Sequence, residues 1–239
     1  MKYELIIFDI GKTLYDKNLS TKASDCVLHD IEELRKKGIK VGVCTMRTIQ
    51  HCREVVPVEL DFYISLNGSF VICEREVIVD KPIIFPSGHI DFLSYGKDLA
   101  CFSTEKAKIL ADVNGFLVDK KGVALPAYNI VLFDIPADTL SSYDNYNKEY
   151  WAKTKALSLQ DKNTSRMIGI QHVLNFYHTR LPILYFGDGP NDLEVFQSYH
   201  DCICMGDCYS KLNEYALFQT KACRDEGVSF ALKKLGLLS

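Results

Sequence analysis

The apolar run Leu5-Ile6-Ile7-Phe8 stops abruptly at Asp9, the pattern of a strand buried on both faces of a parallel sheet. Val27, Leu28, Ile31 and Leu34 then recur at helical spacing, and Gly38 follows as a stop signal. A second buried strand is predicted over Ile39 to Cys44, ending at Thr45, and a third over Phe62 to Leu66, ahead of the turn pair Asn67-Gly68. Towards the other end, Met167, Ile170, Leu174 and Tyr177 mark an amphipathic helix. The run Leu181 to Phe186 predicts a strand leading straight into Gly187-Asp188, with a helix beginning over Asn191 to Gln197. Strands alternating with helices argue for an α/β chain with a Rossmann-like, doubly wound parallel-sheet core.

The middle reads differently. From about residue 81 to residue 160 the chain is richer in Pro, Tyr and polar residues, and its apolar runs are short, as in Ile130 to Ile135. We read residues 1–80 and 161–239 as the core domain and residues 81–160 as a smaller α+β cap inserted into it. No internal repeat or low-complexity linker marks the junctions.

Composition narrows the classes. A chain of 239 residues, 47% hydrophobic and 25% charged, can bury a substantial core, and nothing in it points to disorder, collagen or coiled coil. A formal net charge of -3 argues against a nucleic-acid partner held by phosphate neutralisation. The apolar run at Leu5 to Phe8 is far too short for a signal segment or membrane span, so no membrane partner is expected. The nine cysteines are odd in number and several sit inside apolar runs, as in Val43-Cys44 and Ile203-Cys204. Core packing in a reducing cytoplasm is the simplest reading. Cys202, Cys204 and Cys208 lack the paired spacing of a zinc site.

Asp9, Thr45 and Asp188 each stand where a buried strand ends, and ligands of open α/β sheets bind beyond those ends. Any one of them alone would read as a turn former or helix cap. Together with Gly187-Asp188-Gly189-Pro190-Asn191-Asp192 they form an ordered, multi-part signal.

These motifs resemble the haloacid dehalogenase (HAD) superfamily, and within it the Cof-like class IIB with an inserted cap. Phe8-Asp9-Ile10-Gly11-Lys12-Thr13-Leu14 is similar to the first motif, DxDGTL; Thr45-Met46-Arg47 to a second-motif TGR; and Asn67-Gly68-Ser69 to an NGA turn. Arg166 falls where a third-motif Lys is expected, Gly187 to Asp192 follows GDxxND, and Met205-Gly206-Asp207 and Glu226-Gly227-Val228 resemble MGNA and DGV. The resemblance implies a Mg2+-dependent phosphatase acting on a small phosphorylated metabolite, with Asp9 as nucleophile. It implies metal contacts from Asp9, the Gly11 carbonyl and Asp188, with Asp192 in support. It places Thr45, Met46, Arg166 and Asn191 around the phosphate.

The chemistry can be stated from the residues. A carboxylate can attack phosphorus and form an aspartyl-phosphate, splitting hydrolysis into two steps. A dication and a positive side chain offset the crowding of negative charge.

The first motif is degenerate. Gly11 stands where the second Asp of DxD would protonate the leaving group and then activate water, help worth ~10²–10⁴-fold in rate. Lys12 replaces a Gly; it either assists as acid or electrostatic clamp or is a solvated surface lysine. The rival to the phosphatase reading is therefore a weakened HAD protein that binds a phosphorylated ligand or protein partner. Gly11-Lys12-Thr13 also echoes a Walker A ending, but the upstream Gly is missing, Ile7 standing in its place inside a strand. A receiver domain would explain neither the cap nor the GDxxND segment. Among cap residues, Asp91, Tyr95, Tyr128, Tyr143 and Tyr146 are candidate pocket residues to which the sequence assigns no role.

Overall fold

The computed structural model describes residues 3–114, 116–179 and 182–238. In chain order it opens with β1 (Leu5–Phe8), α1 (Asp25–Lys36), β2 (Lys40–Cys44), α2 (Ile49–Val55), β3 (Phe62–Ser65), β4 (Phe70–Cys73) and β5 (Glu76–Asp80). Next come β6 (Phe92–Tyr95), β7 (Ala100–Phe102), α3 (Glu105–Asn114), β8 (Lys120–Lys121), β9 (Asn129–Leu132), β10 (Tyr146–Trp151) and β11 (Ala156–Asp161). The chain ends with α4 (Arg166–Phe176), β12 (Leu184–Gly187), α5 (Leu193–Ser198), β13 (Cys202–Cys204), β14 (Phe218–Gln219) and α6 (Gly227–Lys234).

Two sheets result. The first has eight strands in the order β14-β13-β12-β1-β2-β3-β4-β5; the pairs from β14 to β3 are parallel, and β4 and β5 add as antiparallel strands. Side chains alternate across it, as strand geometry requires. Ile6 and Phe8 face the cluster built with α1, α2 and α6, while Leu5 and Ile7 face the cluster built with α4 and α5. Helices on both faces make this the doubly wound α/β fold expected from the sequence. The second sheet, β10-β11-β9-β6-β7-β8, is mostly antiparallel. Its face bearing Leu93, Tyr95 and Val131 shares a continuous apolar cluster with the first unit.

Local signals account for the elements. Ser24, Thr48 and Ser165 cap α1, α2 and α4, their hydroxyls accepting from the amides of Val27, His51 and Ile168. Gly38 at φ +81 ends the first helix as predicted. The third strand stops one residue short of Leu66, which enters a 3-10 turn over Leu66–Gly68 with Asn67 left-handed. The strand predicted from Leu181 begins at Leu184, and Leu181 itself lies outside the described residues. The predicted helix at Asn191 is preceded by a 3-10 turn, Pro190–Asp192. Cys44, Cys52, Cys73, Cys101, Cys202 and Cys204 are buried, and all nine cysteines are free. Among the described residues, no helix is long and apolar enough to cross a membrane.

Candidate active site

Strand order decides where a site can form. From β1 the chain proceeds through β2 and β3 on one side, whereas β12, β13 and β14 lie on the other, so a topological switch point falls between β1 and β12. Phe8 is in register with Phe186, and the amide of Asp9 donates to the Phe186 carbonyl at 2.8 Å. The residues that follow these two strands, Asp9 and Asp188, are thereby neighbours. Phe8 is also in register with Val43, which brings Thr45, just beyond β2, to the other side of Asp9. The three strand-end residues of the sequence thus stand side by side at the mouth of a cavity of about 400 Å³.

One oxygen each from Asp9, Asp188 and Asp192 lies within 4.8 Å of the others. Burial pushes the Asp9 carboxyl up to about 7, assisted by the Asp192 charge and opposed by Arg166 and Arg47. Burial, then the charges of Asp9 and Asp192, push Asp188 up to about 8 against Lys12 and Arg166. Two crowded carboxylates of hard oxygen donors, each held back from ionising, fit a hard dication such as Mg2+. Asp192 is placed differently. It is 0% exposed; Oδ2 accepts from the amides of Asp188 (3.0 Å) and Gly189 (2.9 Å), and Oδ1 accepts from Tyr185 Oη (2.6 Å) and from Arg166. Oδ2 thereby shapes the Asp188 loop, while Oδ1 is held by Tyr185 and Arg166. Gly187 makes this possible, because a Cβ there would come within 2.6 Å of Asp192 Cγ.

Arg166 opens α4 and is buried. Nη1 lies 3.0 Å from Asp9 Oδ1, reaches Asp192 Oδ1, and donates to Tyr185 Oη at 3.1 Å, while Nε donates to Asn67 Oδ1 at 3.1 Å. The Asn67-Gly68 turn is what brings the helix so close: Gly68, at φ +91, has Ser165 O only 2.2 Å from where a Cβ would sit. Arg166 therefore holds two buried anions. Arg166→Ala is expected to leave both uncompensated at a cost of about 3–5 kcal/mol. For a chain of this size that lowers the melting temperature by roughly 6–20 °C. Arg166→Lys, keeping the charge without the fork, falls between. Thermal unfolding of the two variants measures this, and a loss below 1 kcal/mol for the Ala variant would refute the pairing.

Thr45 is buried, with Oγ1 accepting from the Arg47 amide at 3.3 Å. Met46 is half-buried, and Asn191 lines the cavity in the turn that leads to α5. Gly11 lines it too. Lys12 lies exposed on the rim at φ 54, the left-handed region, with its amide bonded to Tyr15 O at 2.7 Å. A glycine adopts that conformation without a Cβ penalty. Lys12→Gly is accordingly expected to stabilise the chain by about 1 kcal/mol, and chemical denaturation checks it; destabilisation would mean that the lysine side chain makes a compensating contact.

The structure adds residues that periodicity did not single out. Tyr185 looked like one more apolar strand residue, and only its hydroxyl could have flagged it. Arg47, Glu149, Trp151 and Phe116 line the cavity, the last three from the second sheet and its connections. Glu149 is half-buried, and burial raises its carboxyl. Of the five cap candidates, Tyr95 lines the cavity. Tyr128 donates to Asp80 (2.8 Å), Tyr143 pairs with His89 (2.9 Å), Tyr146 donates to Ile84 O (3.0 Å), and Asp91 accepts from Thr104 (2.6 Å). His51 also lines the wall, its Nε2 2.9 Å from Asp119.

A doubly wound sheet with carboxylates at its switch point, an arginine against them and a second sheet over the cleft makes an acidic, partly covered site at the strand ends. The chain belongs to the haloacid dehalogenase-like hydrolase family, whose model matches residues 6–122 and 126–232. It is 25% identical over 265 residues to a Bacillus subtilis (strain 168) protein named "Putative phosphatase YkrA", with 100% of both chains covered. Its fold is that of the subclass IIB members. The sugar phosphatase BT4131 of that subclass superposes with a TM-score of 0.79 at 19% identity, covering 98% of this chain and 100% of that one. BT1666 from Bacteroides thetaiotaomicron gives 0.81 at 18% identity, covering 99% and 96%.

Proposed function

We propose that this chain is a Mg2+-dependent phosphatase acting on a small phosphorylated metabolite in the cytoplasm, through a phosphoryl group carried on Asp9. The observation that carries this reading is the pairing of Asp9 and Asp188 across the switch point, with Arg166 3.0 Å from Asp9. Asp9, Asp188 and the Gly11 carbonyl would hold the metal, and Asp192 would keep the Asp188 loop in place. Bound there, Mg2+ would neutralise phosphate charge and keep Asp9 ionised. Asp9 attacks phosphorus in line with the leaving oxygen, while Thr45 and Asn191 offer hydrogen bonds to the phosphoryl oxygens. Arg166 fixes the attacking carboxylate. The residues of the second sheet that line the cavity (Glu149, Trp151, Phe116, Tyr95) would read the leaving group.

Phosphate release from a panel of phosphorylated metabolites, with Mg2+ and with chelator, tests the reading. Release that needs the metal is expected; none from either this chain or its Gly11→Asp variant would overturn it. The second reading, a weakened HAD protein that binds a phosphorylated ligand or partner, is favoured by Gly11 alone. Tight ligand binding with turnover appearing only in Gly11→Asp would select it.

The raised carboxyls give a pH signature. Asp9 and Asp188 hold protons to about 7 and about 8, against an ordinary value of 3.8, so the folded state binds more protons across that window. Stability of the metal-free protein should fall as pH rises from about 4 to 8. Mg2+ requires the ionised carboxylates, so the gain in melting temperature on adding it should be larger at pH 8.5 than at pH 6. An equal gain at both would contradict this assignment of ligands.

A further inference from the structure

Gly11 leaves a shaped space rather than a flat wall. A Cβ at position 11 would be 3.7 Å from Arg47 Nη2 and 4.0 Å from Asp9 Oδ2, the nearest atoms outside residues 10–12, and the site opens into the 400 Å³ cavity. Arg47 faces this space without a carboxylate partner. Its guanidinium lies over the Tyr15 ring at 5.0 Å, its Nη1 is buried with no hydrogen-bond acceptor, and it makes no ion pair among the described residues. A buried guanidinium nitrogen with no acceptor is costly, and Nη2 of the same group borders the space, so an anion entering there is favoured by the Arg47 charge. A carboxylate lying in the cavity in van der Waals contact with Gly11, on the side where a Cβ would project, can turn one oxygen toward Arg47 Nη2 and the other toward the phosphoryl group on Asp9.

We propose that the space between Gly11, Arg47 and Asp9 binds a carboxylate that does not belong to the chain and that performs the acid and base steps at the phosphoryl group. Two sources share this chemistry: a small free carboxylate, or a carboxylate on the substrate, which would then be the phosphate ester of a hydroxy acid. In the first step the bond from phosphorus to the leaving oxygen breaks as the Asp9–phosphorus bond forms, and the carboxylic acid gives its proton to that oxygen. In the second, water attacks phosphorus, the bond to Asp9 breaks, and the carboxylate takes the proton from water. The carboxyl group ends as it began, and one ester and one water give one alcohol and one phosphate. The inference rests on the phosphatase reading above.

The test uses the unmodified chain with Mg2+ at constant ionic strength. With 4-nitrophenyl phosphate, whose leaving group needs no acid, sodium formate should raise the steady-state rate along a saturating curve, by roughly tenfold, below the ~10²–10⁴-fold of a tethered group. Sodium chloride should not. Intact mass spectrometry should show the phosphoryl adduct on the protein decaying faster with formate. In the second arm, phosphoglycolate should outpace ethyl phosphate without formate. Stimulation in the first arm assigns the free carboxylate, and preference in the second assigns the substrate's own; either supports the site. Arg47→Ala should abolish the saturation in whichever arm shows it, and persistence of saturation in that variant overturns the proposal. Gly11→Asp, which carries its own carboxylate, should be fast and insensitive to formate. If Gly11→Asp is active but neither arm responds in the unmodified chain, the carboxylate site is wrong; the phosphatase reading then stands where the unmodified chain still turns over and yields to the binding reading where it does not. If Gly11→Asp is also inactive, both fall.

Discussion

Asp9→Asn is expected to abolish phosphoryl transfer and yet raise the melting temperature of the metal-free protein above pH 7. The two effects share one cause. Asp9 is 6% exposed, and burial together with the nearby Asp192 charge raises its carboxyl to about 7. Keeping it ionised at pH 8 therefore costs on the order of 2–4 kcal/mol. The amide has no charge to desolvate, and its oxygen can still accept from Arg166, so that cost disappears. What disappears with it is the nucleophile: an amide oxygen does not form a stable phosphoryl adduct, so neither turnover nor a phosphorylated protein should be detected. Calorimetry of the metal-free variant beside a phosphate-release assay reads both. Retained turnover would move the nucleophile elsewhere; a lowered melting temperature at pH 8 would show that the carboxylate is stabilised by Arg166 more than burial opposes it.

Gly11→Asp carries the other large effect, a predicted gain of ~10²–10⁴-fold in turnover. Steric room exists, since outside residues 10–12 the nearest atom to the new Cβ is Arg47 Nη2 at 3.7 Å, and the glycine does not hold a positive φ. The added carboxylate would stand beside the Arg47 guanidinium, whose charge offsets its repulsion by Asp9 and Asp188. Replacing glycine also restricts the unfolded chain, so little loss of stability is expected. Steady-state kinetics on one substrate for both proteins decides it. A parent already as fast as the variant would mean that another group does the proton transfers, and Lys12 would be the first to replace.

Much of this site could be read before the fold was known. Asp9, Thr45 and Asp188 were legible because buried parallel strands are apolar on both faces, so the first polar residue after each run stands out. Arg166 was legible only by its resemblance to a motif. Nothing in the local pattern shows that it is buried against two carboxylates, because Met167, Ile170 and Leu174 describe an ordinary amphipathic helix. Tyr185 was hidden by its neighbours, sitting in a strand where a ring is as welcome as an aliphatic chain. Arg47 could be seen as part of Thr45-Met46-Arg47, but its lack of a partner depends on which side chains other strands do not supply.

The sequence by itself determined the alternation of strands and helices, the class of sheet, and the missing carboxylate at Gly11, because periodicity and residue chemistry are local properties. Tertiary structure alone decided that β1 and β12 are neighbours across the switch point, that Arg166 is buried against Asp9 and Asp192, and that Glu149, Trp151, Phe116 and Tyr95 line the cleft. Those facts depend on strand order and on contacts between segments far apart in the chain, which no local pattern encodes.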